Sequence, residues 1–251
     1  MFNLSHILYI VISLVITIGL LIGFSFIKKQ KGKDWVLKGF ALATFILHIS
    51  IMWVDFLQHG GHAEAPGYVL WPIFFCNMCM YIYLIVAFIP NKQGRAFKWL
   101  ATFVAYGAFF GGMITLFFSD YLANDPNMTQ WITVKSLLSH STMMLGCIYL
   151  FVGGYVKIRV KNLIPFCCGL VGALLIGVFL NWLFPACGIP SPNSMYLQQP
   201  ALDGTPFYGY VMAPIMVVSI FIFTVIWEQF AVKKGERWYN KFKKRKPVSL
   251  S

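Results

Sequence analysis

Residues 7–27 have the sequence ILYIVISLVITIGLLIGFSFI, an apolar run that is followed at once by Lys28, Lys29, Lys31 and Lys33. An α-helix needs roughly 20 apolar residues to cross the hydrocarbon core of a bilayer. The run therefore predicts a membrane-spanning helix. Because it has neither a positive n-region nor a small-residue cleavage site, we expect it to be retained rather than removed as a signal peptide.

The rest of the chain has the same character. Its 251 residues are 59% hydrophobic and 11% charged, with a mean hydropathy of +0.71, which is more apolar surface than a water-soluble core can bury. Apolar runs of spanning length predict helices at about 7–27, 36–57, 68–89, 97–118, 131–154, 163–184 and 208–230. The sequence thus predicts an all-α polytopic membrane protein with a seven-helix transmembrane domain over residues 1–232 and a basic tail over residues 233–251.

The basic residues predict the orientation of these helices. Nineteen of the 20 Lys and Arg residues fall in alternate connections or in the tail, and only Lys135 does not. The positive-inside rule assigns their side to the cytoplasm, so we expect a multi-pass cell-membrane protein with its N-terminus outside and its C-terminus inside. The net charge of +12 does not indicate a nucleic-acid partner, because the bases alternate with long uncharged runs.

The tail also carries aromatic residues among its bases, namely Trp238, Tyr239 and Phe242. Two interpretations are open. The tail could lie on anionic lipid headgroups, or it could be a solvated stop signal that only fixes topology. Membrane lipids are the expected partners in either case, and the sequence does not give the oligomeric state.

Three of the predicted helices carry a reactive side chain at a similar depth. With a rise of about 1.5 Å per residue, His48, Cys76 and His140 lie roughly 12–14 Å below the outer ends of the second, third and fifth helices. Each has an ordinary structural alternative, since a transmembrane His can bond a neighbouring helix and a Cys can act as a small hydrophobe. Lys135 is expected to snorkel to the surface.

The six cysteines raise further alternatives. The spacing of Cys76 and Cys79 suggests thiol redox chemistry, but the second pair, Cys167 and Cys168, starts from the opposite end of its helix. A metal site would also lack a second-shell carboxylate at this depth. We therefore expect no metal and no cofactor, and neither a disulfide framework nor a redox role is favoured.

A Cys-His pair has a simpler chemistry. A thiol in apolar surroundings attacks a carbonyl only if a neighbouring base takes its proton. His140 could be that base, leaving Cys76 as the nucleophile that forms a thioester with a lipid acyl chain. The other side chains that we expect at this site, as orienting groups, oxyanion donors or pocket walls, are His48, Asn77, Ser136, Asn181 and Tyr196.

Tyr196 belongs to an outer loop between Pro185 and Pro206. Pro190, Pro192 and Pro200 stiffen its backbone. The loop could cap a cavity as a lid, or it could merely connect the sixth helix to the seventh.

Several motifs carry a family resemblance. They are the run Leu70-Trp71-Pro72 with Cys76 one turn later, Ser139-His140-Ser141, and the string NSMYLQQP at residues 193–200, ahead of Pro206-Phe207-Tyr208. Over nearly the whole chain, the sequence resembles the YwaF family of bacterial integral membrane proteins. It is distantly similar to eukaryotic membrane acyltransferases of the transmembrane-protein-164 type. That resemblance implies acyl transfer to ether phospholipids with one Cys and one His, which match Cys76 and His140.

Two classes of function therefore stay open. The first is a lipid acyltransferase or lipase-like enzyme that works in the outer half of the bilayer. The second is a non-catalytic membrane protein, either a small-ligand transporter or an assembly partner, in which the same polar residues bind a ligand or join helices. The sequence specifies neither an acyl donor nor an acyl acceptor.

Overall fold

A computed structural model describes residues 3–58, 70–117 and 130–240, apart from the side chains of Asp55 and Gln58. Within these ranges the chain forms α-helices, short 3₁₀ turns and no strands, which confirms the all-helical class. The α-helices are α1 (Leu4–Ser25), α2 (Gln30–Gln58), α3 (Phe75–Phe88), α4 (Arg95–Phe117), α5 (Trp131–Val152), α6 (Leu163–Ala186) and α7 (Gly209–Ala231). Residues 241–251 of the predicted basic tail lie outside the described residues.

Five of the described helices are long and apolar enough to cross a membrane, namely α1, α2, α4, α6 and α7. Of the other two, α3 has only 14 residues, and α5 has 22 residues but carries a lysine, a histidine and several hydroxyls. The chain is therefore a membrane protein with multiple apolar helices.

The side chains of α1 are arranged inside out. Its buried residues are the polar His6, Ser13 and Thr17, whereas large aliphatic side chains such as Val15 are exposed. In water this arrangement would cost free energy at nearly every position, but in lipid the aliphatic face is the solvated one. The outer surface of this helix is thus built for contact with lipid.

The third helix begins later than the sequence predicted. It starts at Phe75, not near residue 68, because Pro72 has no backbone N–H to donate and restricts the residue before it. A tight turn, with the Ile73 N–H donating to the Trp71 carbonyl at 2.8 Å, precedes the helix. Cys76 therefore lies in the first turn of α3, and the prediction that it lies two turns inside the helix is wrong.

The helix α5 occupies the centre of the bundle. It packs against α2 and α4, which also flank α3, and it contacts α1 and α3 directly. Its polar side chains are bonded to these neighbours: the Tyr9 hydroxyl lies 2.9 Å from Ser141 Oγ, and Thr44 donates to Thr142 at 3.1 Å. Because protein rather than lipid surrounds it, α5 tolerates a polar sequence that a lipid-facing helix would not.

Contacts between connections show how the helices alternate in direction. At one end, Lys33 Nζ donates to the Gly153 carbonyl at 3.1 Å and Arg159 pairs with Glu236 at 3.2 Å. At the other end, the loop before α7 contacts the segment before α3. The connections at the first end are the basic ones.

Candidate functional site

Cys76 lies at an uncapped helix N-terminus. Phe74 occupies the N-cap position and makes no side-chain cap hydrogen bond, and the first helical bond runs from the Met78 N–H to the Phe74 carbonyl at 3.0 Å. The sulfur lies near the backbone N–H groups of Cys76 and Asn77 and 3.5 Å from Asn77 Oδ1. A helix N-terminus presents unpaired N–H groups and a partial positive charge, which favour an anion such as a thiolate.

Lys135 is a buried cation close to this site. Its side chain is only 7% exposed, so the expectation that it snorkels to the surface is wrong. Its positive charge favours a thiolate at Cys76 and disfavours a protonated ring at His140. Lys135 is thus the charged group that Cys76 and His140 share.

His140 is held in one orientation by its own helix. Its Nδ1 lies 2.7 Å from the Ser136 carbonyl oxygen, which also accepts from Ser139 Oγ at 3.1 Å. A carbonyl can only accept, so Nδ1 carries the proton in this contact and Nε2 keeps its lone pair. Ser136 orients the ring through its backbone. The ring itself is only partly buried.

The two predicted catalytic residues do not bond each other in this structure. Among the described residues, the hydrogen bond of Cys76 Sγ goes to Asn77 and that of the His140 ring goes to Ser136. Their helices do touch: Gly146 of α5 faces the Tyr83 hydroxyl of α3. The two helices are therefore adjacent, whereas the thiol and the imidazole are not hydrogen-bonded to each other.

His48 occupies a separate environment on α2. It is 2% exposed, and its ring meets that of Tyr81 edge to face with centroids 5.6 Å apart. The Tyr81 hydroxyl donates in turn to the Leu70 carbonyl. Through Tyr81, His48 thus supports the segment that leads to α3.

Asn181 uses its whole side chain to hold the outer loop. Its Oδ1 accepts from the Ser194 N–H at 2.6 Å, and its Nδ2 donates to the Ser194 carbonyl at 3.1 Å. Ser194 Oγ and the Met195 N–H both donate to the Ile73 carbonyl at 2.8 Å. The loop is therefore bonded to the segment that precedes Cys76, a contact that neither sequence interpretation of the loop included.

Tyr196 completes this contact. Its ring stacks on that of Phe74 with centroids 4.9 Å apart, directly before the first turn of α3. Asn193, Met195 and Tyr196 all have positive φ angles between 50° and 54°. Such angles are costly for non-glycine residues and persist only when surrounding contacts enforce them. The loop conformation is thus imposed by its bonds to α6 and to the segment before α3.

Two further buried polar residues, His6 and Glu228, are not among the predicted site residues. His6 is fully buried, with Nε2 2.9 Å from the Leu116 carbonyl, and Glu228 is 2% exposed. Glu228 accepts the Val160 N–H at 2.8 Å and the Trp238 N–H at 3.0 Å. Each residue lies near the end of a predicted apolar run. A polar side chain at such a position was the feature of the sequence that could have indicated a buried polar contact.

The remaining cysteines and acids form no further centre in the described part of the chain. All six cysteines are free thiols, and Cys79 is completely buried in the core. In residues 3–58, 70–117 and 130–240, no three His, Cys, Asp or Glu side chains are grouped as metal ligands.

Two cavities lie elsewhere in the bundle. An apolar crevice of about 290 Å³ lies between α3, α4 and α6, and its lining includes Phe103 and Gly169. A larger cleft of about 590 Å³ lies at the basic end and includes Lys157 and Arg159. Neither cavity is lined by Cys76 or His140.

Comparisons with known proteins give one result for the chain as a whole. No curated protein and no solved structure matches it. A family model, that of the TMEM164 family, matches residues 1–228, which is most of the chain and includes all seven described α-helices except the last three residues of α7. The chain belongs to the TMEM164 family.

Proposed function

We propose that this protein is a membrane lipid acyltransferase in which Cys76 is the nucleophile and His140 is the general base. The observation that carries the proposal is the position of Cys76 in the first turn of an uncapped helix, with the buried ammonium of Lys135 in electrostatic range. Reactive cysteines occur in such electropositive, partly accessible surroundings. Membership of the TMEM164 family and the apolar helices agree with a lipid substrate.

The thiolate needs several stabilising groups, because burial among apolar side chains disfavours its charge. Lys135 supplies a positive charge, and the uncapped first turn of α3 supplies backbone N–H groups that have no partner within the helix. The Asn77 side-chain oxygen accepts a hydrogen bond from the thiol at 3.5 Å, which stabilises the neutral thiol and not the thiolate. In the proposed reaction the sulfur gives up its bond to Asn77 and comes within hydrogen-bond reach of His140 before it ionises.

In the first half-reaction the Cys76 S–H proton moves to His140 Nε2, whose lone pair is left available by the Nδ1 contact with Ser136. The sulfur attacks the ester carbonyl of a phospholipid, and a carbon–sulfur bond forms. As the ester carbon–oxygen bond breaks, the leaving lysophospholipid oxygen takes the proton from His140. The product is an acyl thioester on Cys76.

In the second half-reaction the hydroxyl of an acceptor lipid gives its proton to His140 and attacks the thioester. The carbon–sulfur bond breaks, the Cys76 thiolate leaves and takes the proton back from His140, and the new ester departs. Backbone N–H groups in the first turn of α3 are the oxyanion donors in this scheme, since the Asn181 amide is already bonded to Ser194. The stacked rings of Phe74 and Tyr196 lie beside the first turn of α3, and His48 packs on Tyr81, which bonds the segment before that helix.

The decisive experiment is to trap the thioester. Purified protein is incubated with a phospholipid labelled in its acyl chain, and protein-bound label is measured before and after hydroxylamine, which cleaves thioesters. We expect label on the wild type and on the control Cys187→Ser, whose thiol is exposed. Cys76→Ser should carry no hydroxylamine-sensitive label, and His140→Gln should lose at least a hundredfold in rate.

An equal thioester signal in Cys76→Ser would refute the nucleophile assignment. If the wild type itself never carries label with any phospholipid offered, the catalytic proposal fails and the non-catalytic class of function remains. Lys135→Met adds a further discrimination. We expect it to slow thioester formation while leaving the folded protein intact, because Met keeps the length of the buried side chain without its charge.

We also propose that all seven helices span the bilayer, with the N-terminus outside and the basic end in the cytoplasm. The distribution of Lys and Arg supports this orientation. A membrane-impermeant maleimide should then label Cys187 in intact cells. A cysteine introduced as Lys234→Cys in a Cys187→Ser background should react only after permeabilisation, and the reverse pattern would invert the topology.

A further inference from the structure

The cleft at the basic end of the bundle has an aromatic wall. We call it the basic-end cleft; it lies between α4, α5 and α7, has a volume of about 590 Å³, and is separate from Cys76 and His140. Along the wall, the rings of Phe109 and Phe223 lie 5.9 Å apart, and those of Phe223 and Trp227 lie 6.4 Å apart. Its size is that of a site for a single small ligand, and its wall is suited to an apolar chain.

The mouth of the cleft carries two cations, Lys157 and Arg159. The Arg159 N–H donates to the Tyr106 hydroxyl at 3.2 Å, so the backbone that bears this cation is bonded to the cleft wall. Glu236 pairs with only one guanidinium nitrogen of Arg159, at 3.2 Å, and is itself 63% exposed on its side chain. The remaining N–H groups of the guanidinium and the Lys157 ammonium are the donors that an anion would use.

The side of the cleft is open to lipid. Val152 near the end of α5 and Trp227 on α7 both line it and are both 44% exposed. Both belong to a bundle whose outer surface carries many exposed aliphatic and aromatic residues. A molecule that enters sideways from the bilayer can thus place a chain inside while its polar end stays at the basic rim.

We propose that the basic-end cleft binds one anionic phospholipid, with its phosphate on Lys157 and Arg159 and one acyl chain against the aromatic wall. A phospholipid fits both halves of the cleft, whereas inorganic phosphate would use only the cations. The negative charge complements the two cations, and membrane lipid is present beside the opening at high concentration.

The test measures lipids retained by the purified full chain in native mass spectrometry. Phosphatidylglycerol should be retained in preference to phosphatidylcholine with the same chains. The double variant Lys157→Gln/Arg159→Gln should bind it roughly thirtyfold more weakly, corresponding to about 1 kcal/mol for each cation. The matched control Lys28→Gln/Lys29→Gln removes two exposed lysines of the same end and should bind as the wild type does.

Equal retention of the two lipids, or equal weakening by the control variant, would overturn the proposal. Displacement of the lipid by millimolar inorganic phosphate would also overturn it, because the acyl chain of the lipid would then contribute nothing to binding. Fluorescence gives a measurement on the folded wild type: phosphatidylglycerol with brominated chains should quench the part of the emission that Trp227→Phe removes. If that quenching is absent, the acyl chain does not lie in the cleft. Unchanged lipid binding by Ile148→Trp, which fills the cleft with a larger side chain, would contradict the proposal in the same way.

Discussion

The Asn181 side chain makes two hydrogen bonds to the backbone of Ser194, accepting one from its N–H at 2.6 Å and donating one to its carbonyl at 3.1 Å. Through Ser194, whose hydroxyl donates to the Ile73 carbonyl at 2.8 Å, helix α6 is tied to the segment that leads to Cys76. One amide thus positions the outer loop over the start of α3. The loop backbone, with its positive φ angles, depends on that amide.

Replacing this amide should loosen the loop. We expect Asn181→Leu to lower the free energy of unfolding by about 2–3 kcal/mol, because it leaves a buried N–H and a buried carbonyl without partners. Limited proteolysis should also cut between Pro190 and Pro200. Gln199→Ala, an exposed residue of the same loop, is the control and should change neither measurement. An intact, resistant loop in Asn181→Leu would show that other contacts hold it.

Glu228 should be a strong determinant of stability at the basic end. Its two oxygens accept the N–H groups of Val160 and Trp238, so Glu228→Gln replaces one acceptor with a donor facing a donor. We expect a loss of about 2–3 kcal/mol, measured by thermal or denaturant unfolding in detergent. The surface variant Glu236→Gln breaks only the exposed pair with Arg159 and should cost less than about 1 kcal/mol. Equal effects of the two variants would contradict this assignment.

The contact between α3 and α5 depends on the absence of a side chain at Gly146. A Cβ there would overlap the Tyr83 hydroxyl, which is buried and donates to the Leu37 carbonyl at 3.3 Å. Gly146→Ala should therefore push the two helices apart and lower stability by about 1–3 kcal/mol. Gly111→Ala has open space around it and should be neutral or slightly stabilising. Melting curves of the two variants should separate clearly, and coincident curves would mean that the helices adjust without cost.

Tyr155, in the connection after α5, gives a prediction for alkaline pH. Burial raises the pKa of its phenol well above the ordinary value of about 10. The Asp34 carboxylate, which accepts a hydrogen bond from the phenol at 2.5 Å, raises that pKa further. The folded protein therefore keeps this proton at a pH where the unfolded chain has lost it. The resulting stability is present below about pH 10 and is lost as the pH rises toward the folded pKa.

Thermal unfolding as a function of pH tests this coupling. The melting temperature should fall above about pH 10, and Tyr155→Phe should remove part of that fall. Tyr239→Phe is a suitable control, because hydrogen bonding from Arg237 lowers the pKa of Tyr239, which reverses the sign of its contribution. Identical pH profiles for Tyr155→Phe and the wild type would rule out this role.

Parts of the fold could be predicted because they are properties of short segments. An apolar run of about 20 residues favours a helix whatever its neighbours, and each described α-helix overlaps one of the predicted runs, with ends that differ by several residues. The start of α3 was missed because Pro72 ends the helical pattern although its neighbours are apolar. The burial of Lys135 was also missed, since whether a polar helix faces lipid or protein depends on helices distant in sequence.

The sequence by itself determined that the chain is an all-helical membrane protein, because the length of an apolar run and the positions of charged residues can be read directly from the linear sequence. Only the tertiary structure decided the surroundings of the candidate site. It gave Cys76 the free end of a helix, brought Lys135 near both Cys76 and His140, and engaged Asn181 with the loop. These relationships depend on contacts between distant parts of the sequence, such as that of the Ser194 hydroxyl with the Ile73 carbonyl, 121 positions apart. Only the packing of α3, α5 and α6 brings such residues into one place.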